Sequence, residues 1–191
     1  MEQQYFENKT YDKTDFQQSV FQTGEYENCT FNNCNFANCS FAHSRFIDCL
    51  FDNCNLSLVT LTETVFRDAQ FLGCKMLGLL FYDCNKLGLS FSCCNCTLDH
   101  ASFYGVKIKK TIFKNTRLLN VDFTGCDLTG AAFDQCNLEN AKFKHTILEK
   151  ADFSTAYGYT IDPEINRIKK AMFSLPGIIG LLAKYDIIIK A

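Results

Sequence analysis

The amino-acid sequence predicts an all-β solenoid, a chain wound into a stacked coil with four short sides to the turn. Three features predict it. All 19 phenylalanines fall on a five-residue lattice, the position two before each lattice residue is mostly small, and the two residues after it are turn-prone. Chance would put about one Phe in five on any frame, so the spacing marks an internal repeat.

The first frame holds Phe6, Phe16, Phe21, Phe31, Phe36, Phe41, Phe46, Phe51, Phe66, Phe71, Phe81 and Phe91. Its other positions include Tyr11, Tyr26, Leu56, Leu61 and Met76, and Lys86 breaks the apolar series. A second frame, shifted by two residues, holds Phe103, Phe113, Phe123, Phe133, Phe143, Phe153 and Phe173, with Leu98, Ile108, Leu118, Leu128, Leu138 and Leu148 among them. These residues form the predicted core.

A step of five turns about 140° around a helix axis and would scatter the lattice over the whole surface. A continuous strand fails too, because an odd step sends alternate lattice residues to opposite faces. The period fits a short strand followed by a corner. Residues two apart in a strand share a face, so small residues such as Cys29, Cys34, Ala101 and Ala131 point inward with the large ones. Pairs such as Asn32-Asn33, Asp52-Asn53, Thr124-Gly125 and Glu139-Asn140 supply the corners. Four corners close a square of about 20 residues, stacked on the next at about 4.8 Å. About 30 units then give seven or so coils and a rod on the order of 35 Å.

The chain has 191 residues, one domain by length. Its start, Met1-Glu2-Gln3-Gln4-Tyr5, lacks the basic and apolar regions of a signal peptide, and no stretch approaches the roughly 18 apolar residues of a membrane span. A cytoplasmic protein away from the membrane is expected. Of the 12 cysteines, all but Cys93 occupy the small inward position of one frame or the other. They are expected as reduced core residues, since buried Cys behaves as a small hydrophobe.

Between Phe91 and Leu98 the frame slips, so part of residues 84–97 is expected to bulge or loop out. Cys93, Cys94, Cys96 and His100 lie there, but without the paired spacing of structural zinc. Lys107, Lys109, Lys110, Lys114 and Arg117 follow, with no acid among residues 107–117, and read as a solvated face. His43, His100 and His145 lie far apart near corners, with no triad partners. No Gly-rich phosphate loop, HExxH or GxSxG occurs. A non-enzymatic protein with no cofactor and no metal is expected.

Residues 158–191 change character. Ser174-Leu175-Pro176 offers a helix start, with Leu175, Ile178, Ile179 and Leu182 at helical spacing, and Asp186-Ile187-Ile188-Ile189-Lys190 reads as a short strand. A solenoid end exposes its core and strand edges and needs a cap. A helix-plus-strand cap is therefore expected over 158–191, after a repeat region over 1–157. The terminal Ile run should bury itself on this cap or on another chain.

Units such as Cys34-Asn35-Phe36-Ala37-Asn38, Cys126-Asp127-Leu128-Thr129-Gly130 and Ala151-Asp152-Phe153-Ser154-Thr155 closely resemble those of the pentapeptide-repeat proteins, over roughly residues 4–157. That resemblance implies a right-handed quadrilateral β-helix. The helix and apolar strand around Leu181-Leu182-Ala183-Lys184-Tyr185-Asp186-Ile187-Ile188-Ile189 resemble the C-terminal module of the Qnr and MfpA type of quinolone-resistance proteins. This second resemblance implies a head-to-head homodimer, here through Leu175, Ile178, Ile179, Leu182, Ile187, Ile188 and Ile189. It also implies binding to DNA gyrase or topoisomerase IV in place of duplex DNA, with protection from quinolones.

Charge bears on that implication. Duplex DNA carries about one negative charge per 1.7 Å of axis, whereas 21 acids here are offset by 19 bases to a net charge of −2. No side reads as acidic from end to end. Glu25, Glu27, Asp48, Asp52, Glu63 and Asp68 are the candidate partner-binding acids. The alternative is a rigid protein-interaction scaffold, suggested by the apolar excess in Leu77, Leu79, Leu80, Tyr82, Leu87 and Leu89. Direct nucleic-acid binding through the Lys107 run is disfavoured by the near-neutral net charge.

Overall fold

A computed structural model of the chain describes residues 4–188 and 190. It is a β-solenoid of about eight turns in which the sheets are parallel throughout. The first side of the coil carries Phe6, Tyr26, Phe46 and Phe66, then Ile108, Leu128, Leu148 and Ile168. The second carries Tyr11, Phe31, Phe51, Phe71, Cys93, Phe113, Phe133, Phe153 and Phe173. The third runs from Phe16 and Phe36 to Leu138, and the fourth from Phe21 and Phe41 to Phe143.

Most corners work because one residue in them takes a left-handed backbone. Asn28, Asn33, Asn38, Asn53, Asn115, Asn120 and Asn140 all have φ between 47° and 60°, a region that Asn tolerates better than most residues. The chain then meets the neighbouring coil by backbone hydrogen bonds, such as Asn35 N–H to Thr14 O at 2.9 Å and Leu50 N–H to Cys29 O at 2.9 Å.

Inside the square the rings stack along the axis. Tyr11, Phe31, Phe51 and Phe71 follow one another at centroid separations of 4.9, 4.8 and 5.1 Å. Phe81, Phe103, Phe123 and Phe143 do so at 4.4, 5.2 and 5.2 Å. Coil spacing and ring spacing thus satisfy each other. The small inward residue also donates a hydrogen bond to the carbonyl of a lattice residue on the preceding coil. Cys49 donates to Tyr26 O, Cys54 to Phe31 O and Cys74 to Phe51 O, each at 3.2 Å. Thr64 and Thr146 bond Phe41 O and Phe123 O in the same way at 2.9 Å. This explains why the slot takes Cys and Thr as well as Ala.

The frame slip lies earlier than the spacing indicates. Phe91 aligns with Ala69, and Cys93 aligns with Phe71 and Phe113. Phe91 therefore fills the small slot and Cys93 the large one, an exchange of volumes within one strand that keeps the bore filled. Cys94 consequently faces outward between Leu72 and Lys114 and is not an inward residue. The two extra residues are taken up between Asn85 and Ser90, whose backbones bond Thr64 O and Phe66 O. Lys86 and Leu87 are exposed while Leu89 turns in. Leu79 is buried too, so the apolar excess is smaller than expected, leaving Leu80, Tyr82 and Leu87 outside.

The coil continues past residue 157. Met172–Phe173 pairs with Asp152–Phe153, and the cap follows as Pro176–Ile178, Ile179–Leu182 and Ala183–Tyr185, a single α-turn between 3-10 turns. Leu175, Ile178 and Ile179 do not pack onto the last coil. Leu175 is 83% exposed, and Ile178 and Ile179 are exposed as well. The helix instead approaches through Gly177 and Gly180, where a Cβ would come within 2.0 Å of the Tyr159 hydroxyl oxygen and 2.2 Å of its carbonyl oxygen. Nor do residues 186–188 form the expected strand; Asp186 leaves the helix at φ 49°. Ile189 lies outside the described residues.

Two outcomes follow from this packing. Phe123→Ala removes a fully buried ring and should lower stability by about 3–5 kcal/mol, whereas Ile112→Ala at an exposed outward position should stay within about 0.5 kcal/mol; urea melts compare them. Burial pushes the Cys49 and Cys136 thiols up to about 12, so they remain protonated at about pH 8. Iodoacetamide on the native protein should label outward Cys94 ahead of these thiols. Equal rates by peptide mass mapping would contradict the inward placement.

Candidate functional site

With the core residues hidden, any site must be built from the outward positions. On each side these are the residue before the lattice position and the two after it. In the N-terminal coils the first side presents Glu25, Glu27, Asp48 and Asp68, together with Glu7, in neighbouring registers. Glu7 lies directly opposite Glu27, a like-charge pairing that is unfavourable by itself. Tyr5 relieves it by donating to Glu27 Oε2 at 2.6 Å, and that carboxylate pushes the Tyr5 phenol up to about 12. Arg45, ion-paired with Glu25 at 2.9 Å, and Arg67 interrupt the field.

The six candidate acids do not form one cluster. Glu25, Glu27, Asp48 and Asp68 share the first side or its far corner, and Glu63 sits at its near corner after the fourth side. Asp52 lies on the second side, in the strand Leu50–Asp52. The arrangement is an acidic strip about four coils long, with Asp52 outside it.

Beyond the frame slip the same side reverses sign. Its outward positions become Lys107, Lys109 and Lys110, then Lys150, then Arg167, Lys169 and Lys170, all exposed. Asp127 and Glu149 are the acids among them, bonded to Lys109 at 3.2 Å and to Arg167 at 2.7 Å. Taken over the chain, residues 1–85 hold eleven acids and five bases, a balance of −6, and residues 86–191 hold ten acids and fourteen bases, a balance of +4. The net charge of −2 averages two opposite ends. Lys114 and Arg117, grouped with the Lys107 run in sequence, belong to the second and third sides and are paired with Asp134 and Asp99.

Two further surfaces stand out. On the fourth side Leu80, Tyr82 and Tyr104, all exposed, line a shallow groove of about 490 Å³ with His100 and Asp122. At the C-terminal end Leu175, Ile178, Ile179, Ile187 and Ile188 are exposed, and Leu182 is half-buried. Lys184 ties this cap to the last coil, bonding Asp162 at 2.7 Å and Glu164 at 2.5 Å. Its hydrogen bonds hold both carboxylates below their usual range. The histidines stay apart: His43, His100 and His145 occupy separate left-handed corners at φ 61°, 61° and 54°. Among the described residues no three His, Cys, Asp or Glu side chains come together as a metal site.

Gly177 and Gly180, which seat the cap, escaped the sequence reading. Their signal was a three-residue glycine spacing in an apolar run. The sign reversal along the first side was also missed, because assigning residues to sides requires knowing where the slip falls.

No curated protein matches the chain in sequence. Among solved structures, a trypsin-treated variant of QnrB1, described as a plasmid-mediated fluoroquinolone resistance protein, is 17% identical with a TM-score of 0.71, over 98% of this chain and 92% of that chain. Full-length QnrB1 is 16% identical with a TM-score of 0.51, over 96% of this chain and 100% of that chain. At this identity the likeness is one of fold. The family signature described as Pentapeptide repeat region matches residues 24–95 and 86–153; the chain belongs to the pentapeptide-repeat family.

Proposed function

We propose that this chain is a non-enzymatic, cytoplasmic binding protein of the Qnr type, which engages a type II topoisomerase, DNA gyrase or topoisomerase IV, in place of duplex DNA. The observation that carries this reading is the acidic strip of Glu7, Glu25, Glu27, Asp48, Glu63 and Asp68 on and beside one side of a rigid rod. The fold shared with QnrB1 over nearly the whole chain supports it. Over four coils, about 14 Å, a duplex carries roughly eight charges, more than the strip offers. Mimicry is therefore confined to the N-terminal half and to a few phosphate positions. Preformed strands hold those carboxylates in place, so little entropy is lost on docking.

Gyrase supercoiling with ciprofloxacin tests the reading. The native protein should protect at low micromolar concentration, and the variant carrying Glu25→Gln, Glu27→Gln, Asp48→Asn and Asp68→Asn should lose at least about tenfold in potency with an unchanged melt, equivalent to about 1.4 kcal/mol. No protection by the native protein would reject it. The exposed Leu80, Tyr82 and Tyr104 groove favours a second reading, a scaffold for an unrelated protein.

We further propose a homodimer through the C-terminal cap, where Leu175, Ile178, Ile179, Ile187 and Ile188 leave an apolar surface uncovered. Leu182 borders it, and Ile189 was assigned to it from sequence. Light scattering should give twice the 21.8 kDa chain mass for the native protein and the chain mass for Ile178→Asp with Ile179→Asp. A native monomer at micromolar concentration would overturn the dimer.

A further inference from the structure

We infer that the C-terminal half of the first side is a docking surface for the phosphate backbone of a nucleic-acid duplex. The inference is independent of the topoisomerase reading, which uses the opposite half of that side. Near-neutral net charge argued against nucleic acid only while charge was averaged over the chain. On the coil, Lys107, Lys110, Lys150, Lys169 and Lys170 face one direction, all exposed and without a carboxylate within 4 Å among the described residues. Lys142 and Lys144 extend the field onto the adjoining fourth side.

A second observation concerns where three of these lysines stand. Lys110, Lys150 and Lys170 occupy the left-handed corner at φ 59°, 59° and 60°. In the N-terminal coils the same corner holds Asn8, Asn28, Asp48 and Asp68. Lysine is a poorer occupant of that backbone region than Asn, Asp or Gly. The fold accepts the less suitable residue in three of four coils, and the result is a column of ammonium groups along one edge. Lys13, Leu58, Glu63 and Gln135 take the same backbone at other corners, so what marks Lys110, Lys150 and Lys170 is that they share one column.

The geometry points to a duplex rather than a single strand. The four coils carrying Ile108, Leu128, Leu148 and Ile168 span about 14 Å, over which a duplex presents roughly eight phosphates. The outward positions within these strands are Lys107, Lys109, Asp127, Thr129, Ile147, Glu149, Arg167 and Lys169. None is aromatic, so the surface lacks the stacking platform on which unpaired bases are held. What it offers is charge on a flat, rigid wall, the means of sequence-independent phosphate contact.

Fluorescence anisotropy of a short labelled DNA duplex of mixed sequence, titrated with the full chain over a range of salt, tests this. Binding should weaken with salt at a slope near −4 on logarithmic axes, for about four phosphate contacts. Lys110→Asn, Lys150→Asn and Lys170→Asn together should weaken binding at least about tenfold and flatten the slope by about 2–3. Asn suits the corner, so this variant should melt no lower than the native protein, and lost binding would not reflect misfolding. No anisotropy change at about 100 µM protein in low salt, equal binding by the triple variant, or capture of polyglutamate but not of duplex would each overturn the assignment. The last outcome would transfer the surface to an acidic protein.

Discussion

The structure depends on one steric requirement: each side of the square coil must send one large side chain to the axis, and that side chain must rest on its counterpart in the next coil. Ring centroids 4.4–5.4 Å apart along the Phe stacks match the spacing of parallel strands, about 4.8 Å. A ring is thick enough to fill one layer and no more. The backbone hydrogen bonds and the interior are thus satisfied by the same rise. The left-handed corners follow, since the chain must turn within two residues to bring the next large residue inward.

This division of labour separates the residues that make the rod from those available to a partner. Burial of the lattice and of the small donors leaves the intervening residues free to vary without loss of the core. Charge on the outside can then be arranged side by side and coil by coil. The first side shows the consequence, with carboxylates before the slip and ammonium groups after it. The slip itself is tolerated because Phe91 and Cys93 exchange places, keeping the volume of that layer nearly constant. Its extra residues leave through the first side, where Lys86 and Leu87 meet solvent, and so mark the boundary between the two charge fields.

Most of the core was legible in the sequence because large and small residues alternate at fixed local spacing. Phe31, Phe51, Phe103 and Phe133 could be placed without any long-range contact being known. Phe91 misled for the same reason: it falls on the first frame by number yet occupies the small slot, and only its register against Ala69, with Cys93 against Phe71 and Phe113, reveals the exchange. The acidic strip was partly legible, since Glu25, Glu27, Asp48 and Asp68 fall together once a 20-residue turn is assumed. Asp52 looked equivalent and lies on another side. The cap was the least legible part. Helical spacing grouped its apolar residues but did not show what seats the turn, whereas close approach on Tyr159 selects the glycines and leaves Ile178 and Ile179 outside. The terminal Ile run pairs with no strand of its own chain among the described residues, and local spacing could not show that.

The central claim is that partner binding uses the N-terminal half of the first side, where rigid strands hold carboxylates at phosphate-like positions. Hydroxyl-radical footprinting of the chain bound to gyrase tests this most directly, because it reads side-chain exposure rather than backbone protection. The account predicts reduced oxidation at Tyr5 and Ile47, which stand among the acids, and unchanged oxidation at Tyr82 and Tyr104 on the fourth side. Protection of Tyr82 and Tyr104 with Tyr5 and Ile47 left reactive would contradict it.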